Sequence, residues 1–160
     1  MELEGTQNGI LAKNLLGQSA LMLAAESNTN PKVIPLILAA GAELEATDLV
    51  GWTPLIAAAA SYASPETITA LLDAGAKVNA RAIDASTPLI WAARMSSNPK
   101  VLQVLLDAGA SLEATDENGL TALNAAASYN HNPAIQAVLL EAKTKLEARR
   151  VQSGKDSQAS

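Results

Sequence analysis

The sequence predicts an all-α solenoid built from stacked helix-turn-helix units that are joined by finger-like loops. Three observations carry this reading. The phrase Thr53-Pro54-Leu55-Ile56-Ala57-Ala58-Ala59 recurs as Ser19-Ala20-Leu21-Met22-Leu23-Ala24-Ala25, Thr87-Pro88-Leu89-Ile90-Trp91-Ala92-Ala93 and Thr121-Ala122-Leu123-Asn124-Ala125-Ala126-Ala127. Its openings at 19, 53, 87 and 121 are 34 residues apart each time. Gly41-Ala42, Gly75-Ala76 and Gly109-Ala110 keep the same step. Self-similarity at this period marks a stacked array, whose units cannot bury their apolar faces alone.

Taken in order, residues 1–16 read as the back half of a unit. Ile10-Leu11-Ala12 aligns with Leu44-Glu45-Ala46, and Asn14-Leu15-Leu16-Gly17 with Asp48-Leu49-Val50-Gly51. Full units follow at 17–50, 51–84 and 85–118, with an atypical closing unit at 119–150. In each, Ser19, Thr53, Thr87 or Thr121 stands at a helix N-cap, where its hydroxyl accepts from an otherwise unpaired N–H. Pro54 and Pro88 follow at the first helical position, where the missing N–H costs nothing. This helix is expected over about nine residues, roughly 53–61 in the second unit. Asn30-Pro31, Ser64-Pro65, Asn98-Pro99 and Asn132-Pro133 repeat the device for a second helix, behind which apolar residues recur at helical spacing. Gly41, Gly75 and Gly109 end these helices, and a stretch such as Lys77-Val78-Asn79-Ala80 is expected to run extended into the next turn. Helices this short do not persist alone, so each unit depends on its neighbours.

Three positions depart from the pattern. Pro35 lies five residues into its helix and predicts a late start or a kink. Ala85 stands where Gly17, Gly51 and Gly119 stand, which predicts a different turn at 82–86. Lys143 replaces the closing Gly, so the last helix continues or frays. The polar segment 151–160 is expected to be disordered.

Composition narrows the function. With no Cys there is no disulfide, thiolate metal site or cysteine nucleophile. The net charge of −5 and the scattered Lys and Arg argue against a nucleic-acid footprint. No apolar run approaches the ~20 residues of a membrane helix, and no secretory leader is recognised, so a cytoplasmic protein that binds no membrane is expected. His131 has no companion that would make it a general base, and Asp48 and Asp116 read as turn residues. With no nucleophile, phosphate loop, metal cluster or cofactor motif, no cofactor and no enzymatic activity are expected.

The phrases Gly51-Trp52-Thr53-Pro54-Leu55-Ile56-Ala57-Ala58-Ala59 and Leu71-Leu72-Asp73-Ala74-Gly75-Ala76-Lys77-Val78-Asn79-Ala80 resemble the unit of the ankyrin repeat family. The resemblance covers about residues 10–148. It departs in three ways. Met22, Ile56, Ile90 and Asn124 replace the family's usual His. Each unit is one residue longer, through an Asn-Pro or Ser-Pro turn, which is similar to prokaryotic members. Glu45, Glu113 and Glu147 stand where Asn79 keeps the loop Asn. The resemblance implies a non-catalytic scaffold that grips another protein with its finger tips and the concave side of the first helices.

Comparing the copies locates the residues that vary. Finger tips carry Leu15-Leu16, Leu49-Val50, Ile83-Asp84 and Glu117-Asn118, and the residue after each turn is Gln18, Trp52, Ser86 or Leu120. Late in the first helices come Ala60, Tyr62, Arg94 and Met95. The expected partner-binding set is therefore Leu49, Val50, Trp52, Ala60, Tyr62, Ile83, Asp84, Ser86, Arg94, Met95, Glu117, Asn118 and Leu120. Large apolar residues at solvent-facing positions mark interaction surfaces, although sideways packing of the fingers would also hide them. Replacing Trp52 and Val50 is expected to leave melting nearly unchanged. Trp91, aligned with Leu23, Ala57 and Ala125 and flanked in the adjacent units by the two Ala, reads instead as core filling. A monomer is expected, with self-association through the repeat ends as the alternative.

Overall fold

The computed structural model describes residues 9–27 and 30–159. The front of the partial first unit and the final residue of the expected tail lie outside them. After a short helical piece at 9–11 come eight helices. They are α1 (Ala20–Glu26), α2 (Val33–Ala39), α3 (Pro54–Ala59), α4 (Pro65–Asp73), α5 (Pro88–Met95), α6 (Pro99–Asp107), α7 (Ala122–Tyr129) and α8 (Pro133–Gln158). Helices α1, α3, α5 and α7 pack in sequence as one row, and α2, α4, α6 and α8 form a second row behind it.

The caps are where the sequence places them. Ser19, Thr53, Thr87 and Thr121 accept from the N–H of Met22, Ile56, Ile90 and Asn124, each at 3.3 Å. Ser64 reaches Thr67 N–H at 3.2 Å, while Asn98 and Asn132 each bond the second helical N–H at 3.0 Å. Helix α2 does start late. Val33 and Ile34 bond back to Asn30 and Pro31 in a tight turn, and Pro35 becomes the third helical residue, where no N–H is required. Gly75 has φ +97°, and Ala76 N–H returns to Leu71 O at 3.0 Å, closing α4 in a left-handed cap that L side chains resist. The first helices are shorter than the nine residues expected, α3 having six.

Small residues set the spacing of the first row. Ala25, Ala58, Ala59, Ala92, Ala93, Ala125 and Ala126 are buried, which lets these helices approach closely. Between the rows, Leu21, Ile34, Leu55, Ile68, Leu89, Leu102, Ile135 and their neighbours form one continuous core.

Three expectations are corrected. Lys77–Ala80 is not extended: Ala80 N–H bonds Lys77 O at 3.0 Å, closing a turn. The turn at 82–86 does not differ in backbone path, because Ala85 adopts φ +60° beside +78°, +78° and +77° at Gly17, Gly51 and Gly119. Its backbone hydrogen bonds match as well, Ala82 N–H to Ser86 O at 3.0 Å repeating Asp48 N–H to Trp52 O at 3.1 Å, and the turn differs only in its side-chain bonds. Register with the neighbouring fingers thus imposes a left-handed conformation on a residue with a Cβ. Finally, the segment from 151 is helical through Gln158 rather than disordered, although fully exposed. Lys143 in place of Gly lets α8 run on from its packed stem, and propagating a nucleated helix is cheap. Glu141–Lys145 and Glu113–Arg150 pairs at 2.6 and 2.7 Å accompany it.

Candidate functional site

The fingers are short hairpins locked by carboxylate or amide side chains. Asp48 Oδ1 accepts from Val50 and Trp52 N–H at 3.0 and 2.9 Å, and Asp116 Oδ1 from Asn118 and Leu120 at 2.9 and 3.0 Å. Asn14 does the same for Leu16 and Gln18. In the third finger Ala82 cannot, and Asp84, two residues later, accepts from Ser86 N–H and Oγ–H instead. Successive tips are tied in series: Leu49 N–H to Leu16 O at 3.2 Å, Ile83 N–H to Val50 O at 3.1 Å, and Glu117 N–H to Asp84 O at 2.8 Å. Lys13 Nζ bonds Thr47 O, and Arg81 bonds Thr115 O, each one finger further on.

The fingers therefore associate sideways, but through backbone and basic side chains. The apolar tips stay outside. Leu49, Val50 and Ile83 are 68%, 53% and 76% exposed, and Leu15 and Leu16 continue the ridge. Asp84 and Glu117-Asn118 end it in polar character.

Beside the ridge lies a cluster that joins fingers to first helices. Trp52 meets Trp91 edge to face, centroids 4.7 Å apart at 62°. Trp91 Nε1–H donates to Ser86 Oγ at 2.6 Å, so the Asp84–Ser86 turn orients the indole. The Arg94 guanidinium lies 5.1 Å from the Trp91 centroid and 5.3 Å from that of Tyr129, and Nη2 pairs with Asp116 Oδ2. The Asp116 side chain is 1% exposed and that of Arg94 14%. Arg94 Nε is buried without an acceptor. One carboxylate thus closes its own finger with Oδ1 and anchors α5 with Oδ2.

The candidate residues divide accordingly. Leu49, Val50, Tyr62, Ile83, Met95, Glu117 and Asn118 are exposed. Trp52, Ala60, Asp84, Arg94 and Leu120 are partly covered. Ser86 is fully buried, its hydroxyl consumed between Asp84 and Trp91, and it leaves the surface set. Trp52 is held against Trp91, so its truncation would remove packing and should lower melting, contrary to the expectation above. Trp91 is not core filling: it lies partly buried in the face beside the fingers, at a position where Leu23 of the first unit is 44% exposed. Arg94, three residues on along the same helix face, is the sequence signal that could have placed it. Tyr129, in register with Met95, and Asp116 were likewise outside the expected set.

At the first unit the face is acidic. Gln18 Nε2 donates to Glu26 Oε1 at 3.0 Å. Burial pushes the Glu26 carboxyl above its ordinary value against the opposing Gln18 bond, and the nearby Asp48 charge adds to the rise. His131 is exposed in the turn before α8. Among the described residues no group of three or more His, Asp or Glu is placed to hold a metal, and no helix is long and apolar enough to cross a membrane.

A family model described as ankyrin repeats (three copies) matches residues 3–82 and 60–150, nearly the whole chain. No curated protein matches it.

Proposed function

We propose a function for this chain from one premise: it belongs to the ankyrin repeat family, whose repeats generally mediate protein–protein interaction. The reading is a non-catalytic scaffold that binds another protein across the finger tips and the adjoining face of the first helices. The observation that carries it is the ridge of Leu15, Leu16, Leu49, Val50 and Ile83, exposed yet built on a hydrogen-bonded ladder of fingers. An apolar ridge of this kind exposes area that a partner would cover. Pre-ordering by the ladder lowers the entropy lost on binding. Trp52, Arg94 and Tyr129 supply the residue types that dominate binding energy elsewhere. A cytoplasmic location, a monomeric state and binding to neither nucleic acid nor membrane belong to the same proposal.

The test replaces exposed tips only. Leu49→Ser, Val50→Ser and Ile83→Ser together remove apolar area that contributes little to the fold. Helicity and melting stay within about 0.5 kcal/mol of the parent per surface site, while capture of the native partner from cell extract is lost. Undiminished capture refutes this placement.

A further inference from the structure

The charges around the ridge select among protein partners. Glu26, Asp48, Asp84 and Glu117 lie along the tips and the adjoining face, and among the described residues none of them forms an ion pair. Of the cations nearby, Arg94 is held by Asp116, while Lys13 and Arg81 bond neutral carbonyl oxygens of the next finger and keep their charge, so four carboxylates face two cations. Resting on the binding reading above, we propose that this surface takes a basic amphipathic helix of another protein. Its apolar face covers the tips of the first three fingers, and its Lys or Arg residues meet Asp84 and Glu117 at one end and Glu26 and Asp48 at the side.

The expected spacing is compatible with a helix. Packed helices lie ~8–10 Å apart, so fingers stepped with them would recur slightly closer than the ~10.5 Å that seven residues of a helix rise. Apolar residues seven apart on the partner thus meet Leu15 or Leu16, then Leu49 or Val50, then Ile83. The raised Glu26 carboxyl fits this picture: burial and the Asp48 charge outweigh the Gln18 bond, and among the described residues no cation pairs with Glu26. Charge complementarity of this type contributes specificity and encounter rate more than affinity.

Both tryptophans of the chain, Trp52 and Trp91, sit at this face, so their emission reports on it alone. Three synthetic helical peptides with the same leucine heptads and Lys, Gln or Glu on the flanks are titrated into the protein. Each carries a dye for anisotropy. The Lys peptide is expected to shift the emission and to bind about tenfold more tightly than the Gln peptide, with the Glu peptide weakest. That advantage shrinks toward ~1 M salt, where the Debye length falls to about 3 Å. Asp84→Asn with Glu117→Gln narrows the gap between the Lys and Gln peptides several-fold. Equal binding of all three overturns the charge selection while the apolar face stands as a binding surface. Anisotropy changes without an emission change overturn the siting. Failure of every peptide to bind at millimolar concentration overturns the helical occupant, and the capture test of the tip variants decides the binding reading separately.

Discussion

Removing the Arg94–Asp116 pair should loosen the face beside the fingers and the stack together. The substitution Arg94→Met keeps most of the side-chain volume and deletes the guanidinium. It leaves Asp116 with two backbone N–H donors but with its second oxygen uncompensated, at 1% side-chain exposure. Breaking a buried pair from one side costs about 3–5 kcal/mol. Two retained amide bonds, and an Arg94 Nε that already lacks an acceptor, place this site near the lower end, about 3 kcal/mol. The cation–π contacts with Trp91 and Tyr129 contribute about 0.5–1 kcal/mol each within that figure. For a chain of this size about 2–4 °C accompanies each kcal/mol, so melting should fall by about 6–12 °C. Asp116→Asn keeps the Oδ1 acceptor and a polar group beside Arg94 and removes only the charge, which should cost about 1.5–3 kcal/mol, the range for a hydrogen bond to a charged group. The double variant should fall short of the sum by about 1–2 kcal/mol. Urea unfolding, followed in parallel by circular dichroism and Trp emission, measures all three. A coupling below about 0.5 kcal/mol, or an Arg94→Met variant melting with the parent, would refute the view that this pair joins finger to helix.

Backbone strain gives a second expectation, of opposite signs. Ala85→Gly relieves a left-handed Ala that costs about 1–2 kcal/mol and adds unfolded-state entropy of about 0.4–1 kcal/mol, so stability should rise by about 0.5–1 kcal/mol. Gly51→Ala should cost more than Gly119→Ala in equilibrium unfolding. Both have φ near +78°, but a Cβ at Gly51 would lie 2.9 Å from Ile83 N, whereas at Gly119 nothing lies within 4 Å. For Glu26, the raised folded-state carboxyl means that the native protein binds its proton more readily than the unfolded chain. Its contribution to stability therefore weakens as pH rises through the folded value and recovers as pH falls toward the ordinary carboxylate range. Glu26→Gln should be at least as stable as the parent at neutral pH, with the difference fading in acid; a thermal melt series across pH checks this.

Much of the fold is legible in the residues themselves. The caps at Ser19, Thr53, Thr87 and Thr121, the helix-closing Gly75 and the late start forced by Pro35 each follow from bonding within about six residues of chain. Such local chemistry needs no knowledge of the neighbouring units. The exposed tips Leu49, Val50 and Ile83 were equally readable, because comparing four copies in one chain shows which positions the packing does not use.

Other features depend on which units become neighbours. Ala85 looks like a reason for a different turn, yet the ladder from Val50 through Ile83 and Asp84 to Glu117 holds it to the path of its glycine counterparts. Trp91 looks like core because its aligned neighbours are Ala, yet Trp52 from one unit, Ser86 and Arg94 from its own and Tyr129 from the next assemble around it at the face. Asp116 reads as a turn residue, which it is, but only the approach of α5 assigns its second oxygen to Arg94. Sequence alone thus determined the repeat, its caps and the apolar tips left exposed, since those are set by contacts within a unit. The tertiary structure decided how the leftover residues combine, because a face made from four copies exists only once translation along the stack brings residues 34 positions apart side by side.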